Sequence, residues 1–326
     1  MKPFTCAVVG ATGMVGKMLV QILEERKLPV SQLHLFASPQ DAGQVMRFNG
    51  REITIEELTP ASFDRGIDTA LFAVSNALSR TYAPLAVKKG CTVVDNSSAW
   101  RLDPAVPLVV PEVNRGDIAT HRGIIANPNC CAAPTVVALK PLHDAFGVKR
   151  VVISTYQSVS GAGVDGWQDL TDTLSGAVPK HFPYPIAHNL IPHIDAFEAD
   201  GYTGEEKKLM AEVRKMLHLP DLAITATTVR VPVYSGHSLS INVTFDKPFA
   251  LDEVRQLLGT APGVILADNP AEKLYPMPIT AAGNDHVHIG RLRRDDSYEN
   301  SLNLWVVSDN IRKGAATNAV QIVEEL

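Results

Sequence analysis

Cys6-Ala7-Val8-Val9-Gly10-Ala11-Thr12-Gly13-Met14-Val15-Gly16 is the stretch whose reading decides the fold. Cys6 to Val9 is a short apolar run, as a parallel strand buried on both faces requires. A glycine-rich turn follows, and then an amphipathic stretch from Lys17 to Glu25. Strand, glycine turn and helix in that order form the context in which dinucleotides bind. The glycines let backbone N–H groups approach a pyrophosphate at the helix N-terminus. The spacing is G-x-x-G-x-x-G rather than G-x-G-x-x-G, so the flanks carry the reading. The plainer alternative is a glycine turn that serves only tight strand–helix packing. On the dinucleotide reading, Gly10, Thr12, Gly13, Met14 and Val15 lie against the cofactor.

A second strand, Leu33 to Ala37, ends at Ser38-Pro39-Gln40-Asp41. An acidic residue at such a strand tip usually holds the ribose hydroxyls of NAD. None stands at Ala37 or Ser38, which leans toward NADP with Ser38 on the 2′-phosphate, while Asp41 lies close enough to undo that inference and leave NAD open. Thr69 to Val74 and Cys91 to Val94 are further strands, separated by a helix-like run from Leu78 to Lys88. This alternation predicts a doubly wound parallel sheet. Asp95-Asn96-Ser97-Ser98-Ala99-Trp100-Arg101 then falls past a strand's C-terminal end, where such sheets bind ligands. Arg101 could hold a phosphate or carboxylate there, or be a surface residue.

Asn127-Pro128-Asn129-Cys130-Cys131 follows a strand end, Ile124 to Ala126, and precedes an apolar run from Ala132 to Leu142. Pro128 disfavours helix at Asn127, and the spacing of Ala133, Val136, Val137 and Leu139 suits a helix beyond it. Cys130 therefore sits where a strand hands over to a helix N-terminus, whose positive end favours thiolate. The competing reading is a small buried hydrophobe.

The second half supplies further candidates. Gln157-Ser158-Val159-Ser160-Gly161-Ala162-Gly163 is a polar loop after the strand Val151 to Tyr156. Glu205 and Lys208 share a face of an amphipathic helix from Glu205 to Leu217, as an ordinary ion pair would. Arg230 and His237 flank a turn, and histidine is the default proton shuttle near neutrality. Residues 179 to 193 are a proline-rich loop in which His181, His188 and His193 are irregularly spaced without a cysteine, so no metal site is expected. Leu302 to Val307 is a last strand, with a helix from Ile311 onward.

At 326 residues with 45% apolar content and a net charge of -5, the chain is long enough for two ordered domains. Mild acidity gives no reason to expect a nucleic-acid partner, and Arg291-Leu292-Arg293-Arg294 reads as a solvated turn or a salt-bridged face. No signal peptide and no apolar run of the ~20 residues that span a bilayer are visible, so no membrane is expected. The four cysteines suggest no disulfide framework, and the expected compartment is the reducing cytoplasm.

Taken together, these segments resemble aspartate-semialdehyde dehydrogenase over nearly the whole chain. The resemblance runs through Gly10 to Gly16; Val94 to Arg101; Val109-Val110-Pro111-Glu112-Val113-Asn114; Asn127 to Cys130; Ser154 to Gly163; Arg230-Val231-Pro232-Val233 with Gly236-His237-Ser238; and Asp309-Asn310-Ile311-Arg312-Lys313-Gly314-Ala315-Ala316. It implies an α/β chain with a Rossmann-like NADP-binding domain over 1–129, completed by a C-terminal helix at 310–326. An α+β catalytic and dimerisation domain would span 130–309. It implies Cys130 as nucleophile, Gln157 orienting the substrate and His237 as acid/base. Arg101, Asn129 and Lys208 would surround the phosphate, Glu205 and Arg230 would hold the amino acid end, and Ser160, Gly161 and Asn318 would lie near the cofactor. The implied reaction interconverts L-4-aspartyl phosphate with L-aspartate 4-semialdehyde and inorganic phosphate. The implied assembly is a homodimer serving the aspartate pathway to lysine, threonine and methionine.

Four places depart from the family pattern. Ala73-Val74-Ser75-Asn76-Ala77 lacks paired glycines, Gln40-Asp41 replaces an arginine-serine pair, Cys131-Ala132 replaces Ser-Thr, and Leu239 replaces a glutamate. A reductase of another acyl phosphate or acyl-CoA, or a non-catalytic nucleotide-sensing dimer, are the alternatives.

Overall fold

Burial on both faces explains the first sheet. In the computed structural model, which describes residues 2–326, β1 (Phe4–Val9) sends Cys6 and Val8 into one apolar cluster and Ala7 and Val9 into another. Helix α1 (Met14–Glu25) follows, then β2 (Val30–Ala37), a hairpin of β3 (Val45–Phe48) and β4 (Arg51–Thr54), and the short β5 (Glu56–Glu57). Next come β6 (Thr69–Phe72), α2 (Asn76–Lys88), β7 (Thr92–Asp95), α3 (Pro111–Asn114) and β8 (Ile124–Ala126). The sheet order is β5-β2-β1-β6-β7-β8 and every pairing is parallel. Leu19, Val20, Ile22 and Leu23 of α1 and Ala319, Val320, Ile322 and Val323 of the C-terminal helix (Thr317–Glu324) fill one cluster, and Ala83 and Ala86 of α2 the other. These elements belong to one compact unit, which runs to Pro128 and resumes over Ala315–Leu326.

Asn129–Gly314 is the second unit. Its α4 (Ala132–Phe146) is buried on every side from Ala132 to Leu139, where every residue but Thr135 is apolar, while its last two turns bury Leu142 and Phe146 and expose Asp144. It packs against a mixed sheet of order β10-β9-β11-β14-β13-β12. The strands are β9 (Val148–Gln157), β10 (Ala223–Arg230), β11 (His237–Phe245), β12 (Val264–Leu266), β13 (Val287–Asp295) and β14 (Ser301–Ser308). Between them lie α5 (Gly163–Leu174), α6 (Gly204–Met216), α7 (Leu251–Thr260) and α8 (Pro278–Ala281). α6 and α7 flank α4.

Two local readings change. Arg291 to Arg294 lies within β13 rather than in a turn. Arg291 adopts φ 55° at a register shift between Gly290 and Arg293, and Arg294 stacks 4.4 Å over the Phe249 ring. The helix expected from Ile311 begins as a π-helical segment, Arg312–Ala316. Asp309 Oδ1 accepts the N–H groups of Ile311 and Arg312, and the Gly314 N–H bonds back to the Asp309 carbonyl five residues earlier. Among the described residues, no helix is long and apolar enough to cross a membrane.

Candidate functional site

The handover from β8 to α4 is held by Asn129. Its Oδ1 accepts the N–H groups of Cys131 (2.8 Å) and Ala132 (3.3 Å), so the first orphan donors of α4 are satisfied by a side chain. Its Nδ2 donates to Glu205 Oε1 at 2.9 Å, and its backbone N–H donates to Glu212 Oε2 at 2.6 Å. Glu205 and Glu212 both come from α6. Asn129 thus sets Cys130 at the head of α4 by reaching both the helix it caps and the helix beside it.

Cys130 is half-buried, whereas Cys131 is fully buried. Burial raises the Cys131 pKa well above its ordinary value, with Cys130 adding to it, so Cys131 stays a neutral packing group in the first turn of the helix. The sulfurs of both cysteines and a ring nitrogen of His237 lie within 4.8 Å of one another. Two thiols and an imidazole are also a donor set suited to a soft divalent ion. Gly314, in the π-helical segment, lets the backbone close on Cys130. A Cβ there would come within 3.0 Å of Cys130 Cβ.

His237 opens β11 and is completely buried. Its Nδ1 accepts the Ser158 backbone N–H at 3.0 Å, which leaves Nε2 as the protonated nitrogen of the neutral ring. That Nε2 has no partner. Asn310 fixes the surrounding turns, for its Oδ1 accepts from Ser158 Oγ and from the Gly236 N–H, each at 3.0 Å. Ser160 Oγ also joins Asn310, so this hydroxyl, expected near a cofactor, is engaged inside the network. Gly161 faces the same cluster: a Cβ there would stand 2.7 Å from Arg230 Nη1 and 3.2 Å from His237 Nε2.

Arg230, at the end of β10, is 5% exposed. Its Nη1 donates to the Ser158 carbonyl at 2.7 Å, its guanidinium lies 5.9 Å from the Phe182 ring centroid, and its Nε has no partner. Burial lowers the Arg230 pKa from its ordinary value, against the opposing charges of Cys130, Glu205 and Cys131. Gln157 Nε2 donates to Glu205 Oε1 at 3.2 Å and to Thr155 Oγ1 at 3.3 Å. Cys130, Gln157, Glu205, Arg230 and His237 therefore form one connected cluster in the second unit. Lys208 Nζ pairs with Asp195 Oδ2 at 2.5 Å, near the surface. That partner lies in the loop before α6, and no periodicity in the sequence announces it.

The other candidates lie in the first unit. Arg101 donates to the carbonyls of Asn127 (2.9 Å) and Asn96 (2.7 Å), tying two strand ends together. Asn318 is fully buried and spends its amide N–H groups on the Val109 carbonyl and on Asn127 Oδ1. At the glycine turn, Gly10 adopts φ +85° and a Cβ there would strike the Ala73 carbonyl. The first turn of α1 carries no side-chain cap and no acidic residue. Backbone donors with no side-chain cap at a close-approach glycine fit a pyrophosphate. A cavity of about 450 Å³ opens beside them, lined by Gly10, Thr12, Gly13, Ser38, Asp41 and Tyr82 among others. Thr12 Oγ1 and Ser38 Oγ donate to Asp41 Oδ2 at 2.9 and 3.2 Å, so Ser38, expected on a phosphate, is turned onto a carboxylate.

Three of the four departures acquire a structural role. Ser75 caps α2, while Asn76 Oδ1 accepts the Ser98 N–H at 2.9 Å. Leu239 is a fully buried core residue of β11. Cys131 fills the first turn of α4 as a neutral thiol.

Known proteins are similar to this chain in sequence and in fold. A family profile described as "Semialdehyde dehydrogenase, NAD binding domain" matches residues 5–121, and one described as "Semialdehyde dehydrogenase, dimerisation domain" matches 139–313. The aspartate-semialdehyde dehydrogenase of Aquifex aeolicus is 50% identical over 99% of this chain and 98% of its own length. That of Bacillus subtilis is 45% identical over 98% and 96%. The crystal structure of aspartate semialdehyde dehydrogenase II from Vibrio cholerae complexed with ASA superposes with a TM-score of 0.96 at 42% identity, over 100% of this chain and 98% of that one. The chain belongs to the aspartate-semialdehyde dehydrogenase family.

Proposed function

We propose that the chain interconverts L-4-aspartyl phosphate with L-aspartate 4-semialdehyde and inorganic phosphate, through a thioester on Cys130, using NADP or NAD. The observation that carries this reading is a pair of buried donors without partners, His237 Nε2 and Arg230 Nε, in the same cluster as Cys130. Buried donors are rarely left unpaired unless a ligand or water meets them.

In the reductive direction, the Cys130 thiolate attacks the acyl carbon, forming the S–C bond and a tetrahedral oxyanion. The N–H groups of Cys131 and Ala132 are already held by Asn129. His237 Nε2–H is therefore the donor assigned to that oxygen, preorganised by the Ser158 N–H at Nδ1. In this tautomer the neutral ring donates and does not take the thiol proton. The thiol instead loses its proton to solvent, helped by the helix N-terminus and by Arg230. The C–O bond to phosphate breaks and the thioester remains. When bound, the reduced nicotinamide supplies the hydride that the thioester carbon accepts. His237 then steadies the resulting oxyanion until it collapses, releasing the aldehyde and the thiolate. Arg230 pairs with the substrate's α-carboxylate, and Glu205, held by Asn129 and Gln157, accepts from its ammonium. Lys208, released from Asp195, holds the phosphate.

The glycine turn and uncapped α1 support assigning the first unit to the dinucleotide. The half-buried outer face of the second sheet, with Tyr156 and Trp305 in contact at 5.5 Å between centroids and Ser240 beside them, supports a homodimer through that face. The four free cysteines suit the cytoplasm, where the chain would serve the aspartate pathway.

The test is nicotinamide reduction with L-aspartate 4-semialdehyde, with and without phosphate. Phosphate-dependent turnover is expected. Turnover only with N-acetylglutamate semialdehyde or malonate semialdehyde plus CoA would move the assignment to another acyl substrate, and binding of nucleotide without turnover on any of these would make the chain a sensor.

A further inference from the structure

The cavity beside the glycine turn carries a charge pattern that bears on which dinucleotide it takes. Asp41 lies 25 residues beyond Gly16 and follows β2, the strand whose end conventionally meets the adenosine ribose. A turn closes Ser38 to Asp41, with the Asp41 N–H on the Ser38 carbonyl at 3.0 Å, and folds the carboxylate back toward the loop that precedes α1. There it receives Thr12 Oγ1 from that loop and Ser38 Oγ on one oxygen, and Gln44 Nε2 at 2.9 Å on the other. Glu57 lines the same cavity, and no lysine or arginine does among the described lining residues.

We propose that Asp41 is the cofactor-specificity residue of this chain and orders the two dinucleotides, with NAD preferred over NADP. This rests on the reading that a nicotinamide dinucleotide is the cofactor, and it deepens that reading. A carboxylate offers about four lone-pair sites, of which three are occupied here. The remaining one accepts a ribose 2′-hydroxyl. A 2′-phosphate is mostly without a proton to give at neutral pH and brings a charge of about −1.5 to −2 against Asp41 and Glu57. The two hydroxyls that could have served the phosphate, those of Thr12 and Ser38, point at Asp41 instead. A turn-forming aspartate with no part in selection would use the same hydrogen bonds, so the test has to read selection itself.

The full-length protein is titrated calorimetrically with ADP-ribose and with 2′-phospho-ADP-ribose, in the wild type and in Asp41→Asn and Asp41→Ser. The wild type is expected to bind ADP-ribose at least tenfold more tightly, and to discriminate more sharply at low ionic strength because the repulsion is then less screened. Both substitutions are expected to narrow the ratio at least threefold, chiefly by improving the 2′-phospho ligand. Equal or tighter wild-type binding of 2′-phospho-ADP-ribose would overturn the proposal, as would a ratio unchanged in both variants or indifferent to salt. Turnover with NAD and NADP is measured alongside. An intact ADP-ribose preference without turnover on any semialdehyde removes the proposed reaction and leaves the role of Asp41 standing. Phosphate-dependent turnover that favours NADP removes the role of Asp41 and leaves the reaction.

Discussion

Cys130 differs from the other thiols of the chain in its surroundings rather than its chemistry. Cys6 is held far above its ordinary pKa by burial and Cys91 is pushed up to about 12 by the same cause, while Cys131 is raised by burial and by Cys130. Brief iodoacetamide treatment of the native protein near neutral pH should therefore modify Cys130 alone, as read by peptide mass spectrometry. Labelling of Cys131 at a comparable rate would mean that the first turn of α4 opens. His237→Ala should lower kcat by about 10²–10⁴-fold with little change in the semialdehyde KM, because the proposed mechanism sets its Nε2–H on the developing oxyanion. A rise in KM alone would assign His237 to ground-state binding. The sequence singled out Cys130, Arg230 and His237 through their local motifs, and the structure brings the three into one cluster. The sequence did not carry the tautomer of His237, because Ser158 lies 79 positions away and meets the ring only through the pairing of β9 with β11. Asn310, which ties Ser158 to Gly236, escaped for the same reason.

At the scale of elements, the strand-to-helix handover at Cys130 depends on one amide and one glycine. Asn129→Ala removes the acceptor for two N–H groups of α4 and a donor to Glu205. It should cost about 1–2 kcal/mol in urea melts and lower turnover as well. Unchanged stability would show that water replaces the cap. Gly314→Ala places a Cβ 3.0 Å from Cys130 Cβ, so it should reduce kcat at least tenfold while leaving the far-UV circular dichroism unchanged. The apolar run after Cys131 gave the first two turns of α4 plainly, because a segment buried all round needs no amphipathic pattern. The π-helical segment was not legible, since Asp309 and the close approach of Gly314 to Cys130 impose it and local propensity does not. Nor was the placement of Arg291 to Arg294 within β13, where alternation is interrupted by the shift in register after Gly290.

For the whole molecule, alternating strands and helices up to Ala126 made a parallel sheet readable, whereas the mixed order of the second sheet rests on pairings far apart in sequence, such as β11 with β14. The half-buried outer face of that sheet predicts a dimer by sedimentation equilibrium, and a substitution of Trp305 by glutamate should shift it toward monomer. A dimer that withstands this change would place the interface elsewhere. The covalent intermediate on Cys130 is the step on which the proposed reaction depends. It is tested most directly by incubating the protein with oxidised dinucleotide and L-aspartate 4-semialdehyde without phosphate, quenching in acid, and mapping the adduct by peptide mass spectrometry. The expected result is an aspartyl group on the Cys130 peptide that disappears when phosphate is added before the quench. Turnover with no acyl adduct at Cys130, or an adduct that phosphate leaves in place, would contradict it.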